Sequence, residues 1–177
     1  RREIGNGGLF IRDGFIKQIG DSNDLPKQAD EIVDLTGHVV LPGFVNTHHH
    51  LHQSLDRAYP PSQNGNLVQW LKGLYPRWEQ CEPEDTELAT ELGLAEIALS
   101  GATTVADHQY LWPKGVTAAR QFEAARKVGV RFHLGRGSQN IGQPHGGFAP
   151  VSMIEDEDAV LAGTSEVIAQ FHDPSPG

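Results

Sequence analysis

The stretch that most constrains this chain is an apolar run ending in three histidines, residues 40–50 (VLPGFVNTHHH). Its β-branched and aromatic residues around a Pro-Gly turn predict a buried strand. Side chains alternate across a strand, so His48 and His50 should share one side while His49 points away. Two neutral imidazoles about 6–7 Å apart at a strand end can chelate zinc or iron. We predict a metal site here rather than a solvated histidine cluster or a tag remnant, because the triplet follows a turn and a strand.

Segments with strand and helix patterns alternate after this run, which implies a parallel sheet with right-handed crossovers. A long polar loop is expected over residues 51–65, at an active-site rim. The remaining predicted elements are helix 67–75, a helix from Pro83, strand 103–107, helix 116–128, strand 130–135 and helix 154–172.

Local signals mark several of these boundaries. Asn66 can cap the first helix, and Pro76 is expected to end it. Leu88, Leu92 and Leu99 recur at the spacing of one helical face in the second helix. Upstream, residues 8–40 are predicted as short strands. Two hairpins are expected there, with turns at Asp13-Gly14 and Thr36-Gly37.

The histidine run resembles the first-strand signature of the amidohydrolase superfamily. The likeness continues through Gln53, Trp70, residues 103–108 (TTVADH) and residues 131–137 (RFHLGRG). This wider pattern is similar to the branch that holds guanine and 8-oxoguanine deaminases, pterin deaminases and s-triazine hydrolases. The superfamily signature is specific, whereas the pattern does not select one substrate within the branch.

The resemblance implies an α/β fold, the N-terminal part of a (β/α)8 TIM-type barrel preceded by a small β-sandwich portion. Residues 1–42 would form the sandwich portion, and residues 43–177 would supply the first three βα units. Because such barrels typically need about 250 residues, we expect the chain to be the N-terminal part of a longer polypeptide. Active sites of these barrels lie at the C-terminal ends of the strands.

The same resemblance implies one divalent metal at that mouth, zinc in the first place and iron as the alternative. His48 and His50 would be two of its ligands. The other ligands and the proton-transferring glutamate fall in segments beyond these residues, so the catalytic acid and base stay unassigned. The implied reaction is attack of a metal-bound hydroxide on an amino-bearing ring carbon, with release of ammonia.

Four residues are candidates for substrate binding, each with a structural alternative. Gln53 could hold a lactam edge or only bond to loop backbone. Trp70 could wall the pocket or pack in the core. Arg136 could reach a ring carbonyl or form a salt bridge. His108 is expected to orient a neighbour or contact substrate, and Asp107 to support a loop or a histidine.

The remaining histidines receive structural interpretations. His133, inside a predicted strand, is expected to be a packed core residue. Surface or loop positions are expected for the others, which are His38, His49, His52, His145 and His172.

Composition narrows the classes of partner. The net charge of −9 argues against nucleic-acid or anionic-membrane partners, so a small heterocyclic substrate is expected. A single cysteine, Cys81, fits a reducing cytoplasm and excludes the Cys-rich base deaminases of another fold. No apolar run approaches the roughly 18 residues of a membrane span. Homo-oligomers are common in the resembling family, and the sequence itself does not establish one.

Three rival functions stay open. An s-triazine amino- or chlorohydrolase shares the opening motif, and a binuclear hydrolase would need a bridging modified lysine on a later strand. The third rival is a non-catalytic barrel relic, which the intact pair of His48 and His50 disfavours.

Overall fold

The computed structural model describes residues 3–113 and 115–175. Their contacts divide the chain into two compact units. The first unit comprises the N-terminal segment up to Leu41, and the second is Pro42–Pro174.

The N-terminal unit is built on one antiparallel hairpin. Strands β1 (Gly7–Arg12) and β2 (Phe15–Asp21) pair along their length. Asp13 and Gly14 join them with φ values of +54° and +75°, as a two-residue turn matching the twist of a hairpin requires. This predicted hairpin is confirmed.

The second predicted hairpin is wrong. The turn at Gly37 forms, and Asp34 accepts hydrogen bonds from the backbone and hydroxyl of Thr36. The flanking segments form no strands, however, and Ile32 is 75% exposed. Alternating apolar residues make a strand only where a neighbouring strand pairs with them. Among the described residues the predicted β-sandwich is therefore reduced to a two-stranded sheet.

The larger unit alternates strands and helices around a three-stranded parallel sheet in the order β3-β4-β5. The predicted α/β class is confirmed, while no closed barrel is seen over the described ranges. The elements are β3 (Phe44–Asn46), α1 (Leu67–Trp78), α2 (Pro83–Leu99), β4 (Ala102–Gln109), α3 (Ala118–Val128), β5 (Arg131–Arg136) and α4 (Glu157–Phe171).

A glycine lets β3 enter the sheet beside β4. A Cβ on Gly43 would lie only 2.1 Å from the Thr103 hydroxyl oxygen. Any other residue at this position would therefore push the start of β3 away from β4. The Pro-Gly turn predicted from sequence thus has a second role, because it sets the spacing at which β3 delivers the histidines.

The first core lies between the sheet and helices α2 and α3. Leu94 and Val105 are fully buried in it, together with Leu51 from a 3₁₀ helix, Leu51–Asp56, inside the predicted 51–65 loop. The helix that the spacing of Leu88, Leu92 and Leu99 predicted is present, but this face does not pack, since Leu88 and Leu99 are 56% and 89% exposed. Apolar residues surround this helix, so spacing alone could not select the side that packs.

The second core forms around α1. Asn66 caps this helix in a reciprocal capping box with Gln69, as predicted. The helix continues through Pro76 to Trp78, past its predicted end. Trp78 is 1% exposed and packs with Leu74, and burial of a large aromatic side chain outweighs the one backbone hydrogen bond that a proline removes.

None of the helices in the described ranges combines the length and the apolar character needed to cross a membrane.

Candidate metal and substrate site

The three histidines of the opening motif separate as the strand periodicity predicts. The rings of His48 and His50 lie edge to face with centroids 5.1 Å apart. His49 turns toward the helix side, where it is half-buried, and burial lowers the pKa of its imidazole. The structure therefore brings the two predicted ligands together and separates the third histidine from them.

The ring of His50 is oriented from strand β4. Its Nδ1 lies 2.8 Å from the backbone carbonyl oxygen of His108. A carbonyl only accepts hydrogen bonds, so Nδ1 carries the proton and Nε2 keeps a free lone pair. Metal-binding histidines typically use this arrangement, in which a backbone oxygen fixes the tautomer and the direction of the ring.

An open pocket at the strand ends is lined by five histidines, namely His48, His49, His50, His108 and His133. His133 is exposed, so its predicted core position is wrong. It pairs with Ala106 in the sheet register, while its neighbours Phe132 and Leu134 are partly buried on the other face. Strand alternation places it on the histidine face, and the sequence pattern did not say which face packs against helices.

His108 lies beside this pair without being predicted as a ligand. Its ring centroid is 5.5 Å from that of His50. Burial, followed by repulsion from His50 and His48, lowers the pKa of His108. The backbone carbonyl of His108 contacts His50, whereas the role of the His108 side chain stays a prediction.

Tyr110 lies beside the candidate site, although no sequence motif singled it out. Its ring is 5.1 Å from that of His50, and its hydroxyl accepts a hydrogen bond from Nε2 of Gln53 at 3.1 Å. Burial raises the pKa of Tyr110 to about 12, so the phenol keeps its proton. The sequence signal that could have identified it is its position just after the end of β4.

The two other substrate candidates are held by protein contacts. Arg136 forms a two-pronged ion pair with Glu155 and lies over the Trp112 ring, with 5.0 Å between its guanidinium carbon and the ring centroid. Of its two expected roles, the geometry realises the salt bridge. Trp70 packs against Trp78 with ring centroids 5.5 Å apart, at the edge of the second core.

His52 is buried beneath the candidate site. The sequence predicted a loop position, yet the side chain is buried, and burial lowers its pKa to about 3. Its ring lies edge to face against Tyr110 at 4.9 Å and Trp78 at 5.2 Å. The neutral imidazole of His52 thus packs as an aromatic ring next to His50, with ring centroids 6.1 Å apart.

The candidate ligands suit zinc or iron, but they are too few to hold the metal alone. His48 and His50 offer imidazole nitrogens, which zinc and iron accept. No group of three or more histidine, cysteine, aspartate or glutamate side chains with metal-binding geometry occurs among residues 3–113 and 115–175. A catalytic zinc usually takes three protein ligands, so His48 and His50 alone would leave such a set incomplete.

Comparison with known proteins identifies related folds. A family model described as "Amidohydrolase family" matches residues 39–174. An 8-oxoguanine deaminase from Pseudomonas aeruginosa is 42% identical over 174 residues, which is 97% of this chain and 39% of that protein. An isoxanthopterin deaminase from an unidentified prokaryote is 37% identical over 91% of this chain and 36% of its own length.

A solved structure agrees with these sequence matches. A mutant atrazine chlorohydrolase TrzN from Arthrobacter aurescens TC1, complexed with zinc and atraton, superposes with a TM-score of 0.85 at 30% identity. The match covers 96% of this chain and 39% of that protein. The chain thus spans less than two fifths of the length of each of these relatives.

Proposed function

This chain belongs to the amidohydrolase family, and on that premise we propose that it is part of a metal-dependent hydrolytic deaminase of an amino-substituted heterocycle. The proposed substrate is an oxidised purine such as 8-oxoguanine, guanine, or a pterin such as isoxanthopterin. The amino group leaves its ring carbon as ammonia, and a carbonyl takes its place. Two relatives in the comparisons are deaminases of such rings.

The convergence of His48 and His50 is the observation that carries the proposal. Their rings lie 5.1 Å apart, and the His108 carbonyl fixes His50 with Nε2 free. We propose these two side chains as ligands of one divalent metal, zinc or iron, with the remaining ligands supplied by other parts of the polypeptide. When bound, such a metal supplies Lewis-acid chemistry that lowers the pKa of water from about 15.7 toward 7.

The pair formed by Gln53 and Tyr110 supports a substrate with a lactam edge. One N–H of Gln53 is used on the tyrosine oxygen, which leaves the glutamine Oε1 as an acceptor. The protonated Tyr110 hydroxyl remains a donor. A lactam presents an N–H beside a carbonyl, so one acceptor and one donor held together complement it. We propose that this pair binds that edge and that His108 contacts the ring.

The second candidate function is hydrolysis of an s-triazine. The similarity to the zinc-bound triazine enzyme favours it, as does the shared opening motif. An s-triazine without a lactam would leave either the Gln53 acceptor or the Tyr110 donor unpaired, and an unpaired buried polar group costs about 1–3 kcal/mol.

A substrate panel tests the proposal on the protein expressed from its complete gene. Metal content is measured first, and ammonia release is then followed on 8-oxoguanine, guanine and isoxanthopterin. A chloro- and an amino-s-triazine are assayed in parallel for chloride or amine release. We expect bound zinc or iron and the highest kcat/KM on a lactam ring.

Two outcomes would contradict the proposal. Absence of bound metal together with absence of turnover would favour a non-catalytic relic. Faster turnover of a triazine than of every lactam ring would favour the second candidate.

A further inference from the structure

A glutamine on an outer helix reaches the floor of the candidate site. Gln121 lies on α3 and is fully buried, and its Nε2 donates to Oδ2 of Asp107 at 2.8 Å. Nothing in the sequence pattern singled it out, since a polar residue in an amphipathic helix is expected to face solvent. A buried amide that ends on one carboxylate oxygen fixes the rotation of that carboxylate.

Asp107 uses its other oxygen on the backbone that follows the histidines. Oδ1 accepts the Leu51 N–H at 2.7 Å, and the side chain is almost completely buried. Burial raises the pKa of Asp107 to about 6, while the hydrogen bonds from Leu51 and Gln121 favour its charged form. The carboxylate therefore prevails above that pH, with both oxygens engaged.

Three hydrogen bonds then join the end of β4 to residues 49–51. The His108 N–H donates to the His49 carbonyl at 2.9 Å, and His50 Nδ1 donates to the His108 carbonyl at 2.8 Å. The third is the bond from Leu51 to Asp107. The bond from Leu51 to Asp107 is the only one of the three in which β4 contributes a side chain. A residue that holds the Asp107 carboxylate can therefore change the direction of this bond.

We propose that Gln121 is a positioning residue of the metal site, acting through the Asp107 carboxylate on the backbone of residues 49–51 and so on the direction of the His50 ring. The inference rests on the proposed function, because it assigns Gln121 to the proposed metal ligand. Groups bonded directly to a metal ligand typically change metal affinity by about 10–100-fold when they are replaced, and Gln121 acts further out, through Asp107 and the backbone.

The test compares metal binding in Gln121→Met and in wild type, both expressed from the complete gene. Methionine keeps the volume and removes the amide. Zinc affinity is measured by competition with a chromophoric chelator, and the cobalt-substituted protein gives a visible spectrum that reports ligand geometry. We expect zinc binding weaker by about tenfold or less, at or below the low end of the range for direct partners, and an altered cobalt spectrum in Gln121→Met.

Leu74→Ala is the control for lost stability. Leu74 is 1% exposed and packs in the second core, which contains neither Asp107 nor Gln121. We expect this variant to lose stability and to keep the wild-type spectrum and zinc affinity. Equal changes in Leu74→Ala and Gln121→Met would overturn the positioning role.

Asp107→Asn provides a second variant in case Gln121→Met does not fold. Its oxygen still accepts from Leu51, and its new Nδ2 takes the place of the oxygen that accepts from Gln121. A half-turn of the glutamine amide then lets Nδ2 donate to Gln121 Oε1, which has no hydrogen-bond partner in the part of the chain that the structure describes. We expect the wild-type cobalt spectrum. An altered spectrum would mean that the charge acts rather than the orientation, which overturns the inference.

The result also separates this inference from the proposed function. Wild-type zinc binding with no change in Gln121→Met overturns the inference alone. A wild-type protein that binds neither zinc nor iron overturns both.

Discussion

The two faces of the three-stranded sheet differ in whether their polar side chains are buried or exposed. On the helix face, Asp107 and Gln121 are almost fully buried and bond to each other. On the other face, His48 and His108 are exposed at the strand ends. The buried face therefore provides rigidity, while the histidine face leaves nitrogen atoms free for a ligand. The comparison teaches that the direction of an exposed functional ring can be set from the packed side of a sheet.

The largest expected effect comes from the histidine face itself. We expect His48→Ala and His50→Ala to abolish metal binding and turnover together, because each removes one of the two proposed metal ligands. His49→Ala is the matched control, since this neighbour points to the helix side. Elemental analysis and steady-state kinetics check the prediction. Near-normal metal content and rate in both variants would refute the ligand assignment.

The packed face should respond through stability. Leu94→Ala is expected to cost about 2–5 kcal/mol of unfolding free energy, since a fully buried leucine leaves a cavity. Leu92→Ala on the same helix is the control, because Leu92 is 38% exposed and should cost clearly less. Urea denaturation measures both. Equal losses would mean that α2 packs on its other side.

The free energy of unfolding should depend on pH through His52, which is buried against Tyr110 and Trp78. Its pKa is about 3 in the folded protein against 6.5 ordinarily, so below pH 6.5 the unfolded chain binds a proton that the folded chain does not. Stability contributed above pH 6.5 is lost as the pH falls, by about 1.4 kcal/mol per pH unit.

This prediction is checked by urea denaturation between pH 7 and pH 5. We expect His52→Phe, which keeps an aromatic ring, to show a flatter pH dependence than wild type. His145→Gln, at an exposed position, should follow the wild type. Parallel curves for wild type and His52→Phe would contradict the buried neutral imidazole.

The smallest expected effect concerns substrate choice. We expect Tyr110→Phe to lower kcat/KM on a lactam substrate by about tenfold or less, because one hydrogen bond is worth about 0.5–1.5 kcal/mol. The rate on an s-triazine without a lactam should change less. Kinetics on both substrates decide, and an equal loss on the two would remove Tyr110 from lactam recognition.

Local signals in the sequence predicted the parts of the fold that depend on a few neighbouring residues. The hairpin at Asp13-Gly14 and the cap at Asn66 formed as expected. The segment around Ile32 did not become a strand, because a strand needs a partner that lies elsewhere in the chain. The burial of His52 and the exposure of His133 were missed for the same reason, since both depend on which surfaces pack together.

By itself, the sequence determined the spacing of His48 and His50 and hence that their rings share a side, because strand alternation is a property of the backbone. It also determined the order of strands and helices in the larger unit. Only the tertiary structure decided which face of the sheet packs, how the His108 carbonyl fixes His50, and that Gln121 reaches Asp107 from α3. Those contacts join residues 14 to 58 positions apart. Sequence patterns describe only neighbouring residues, so they do not predict contacts between residues that folding alone brings together.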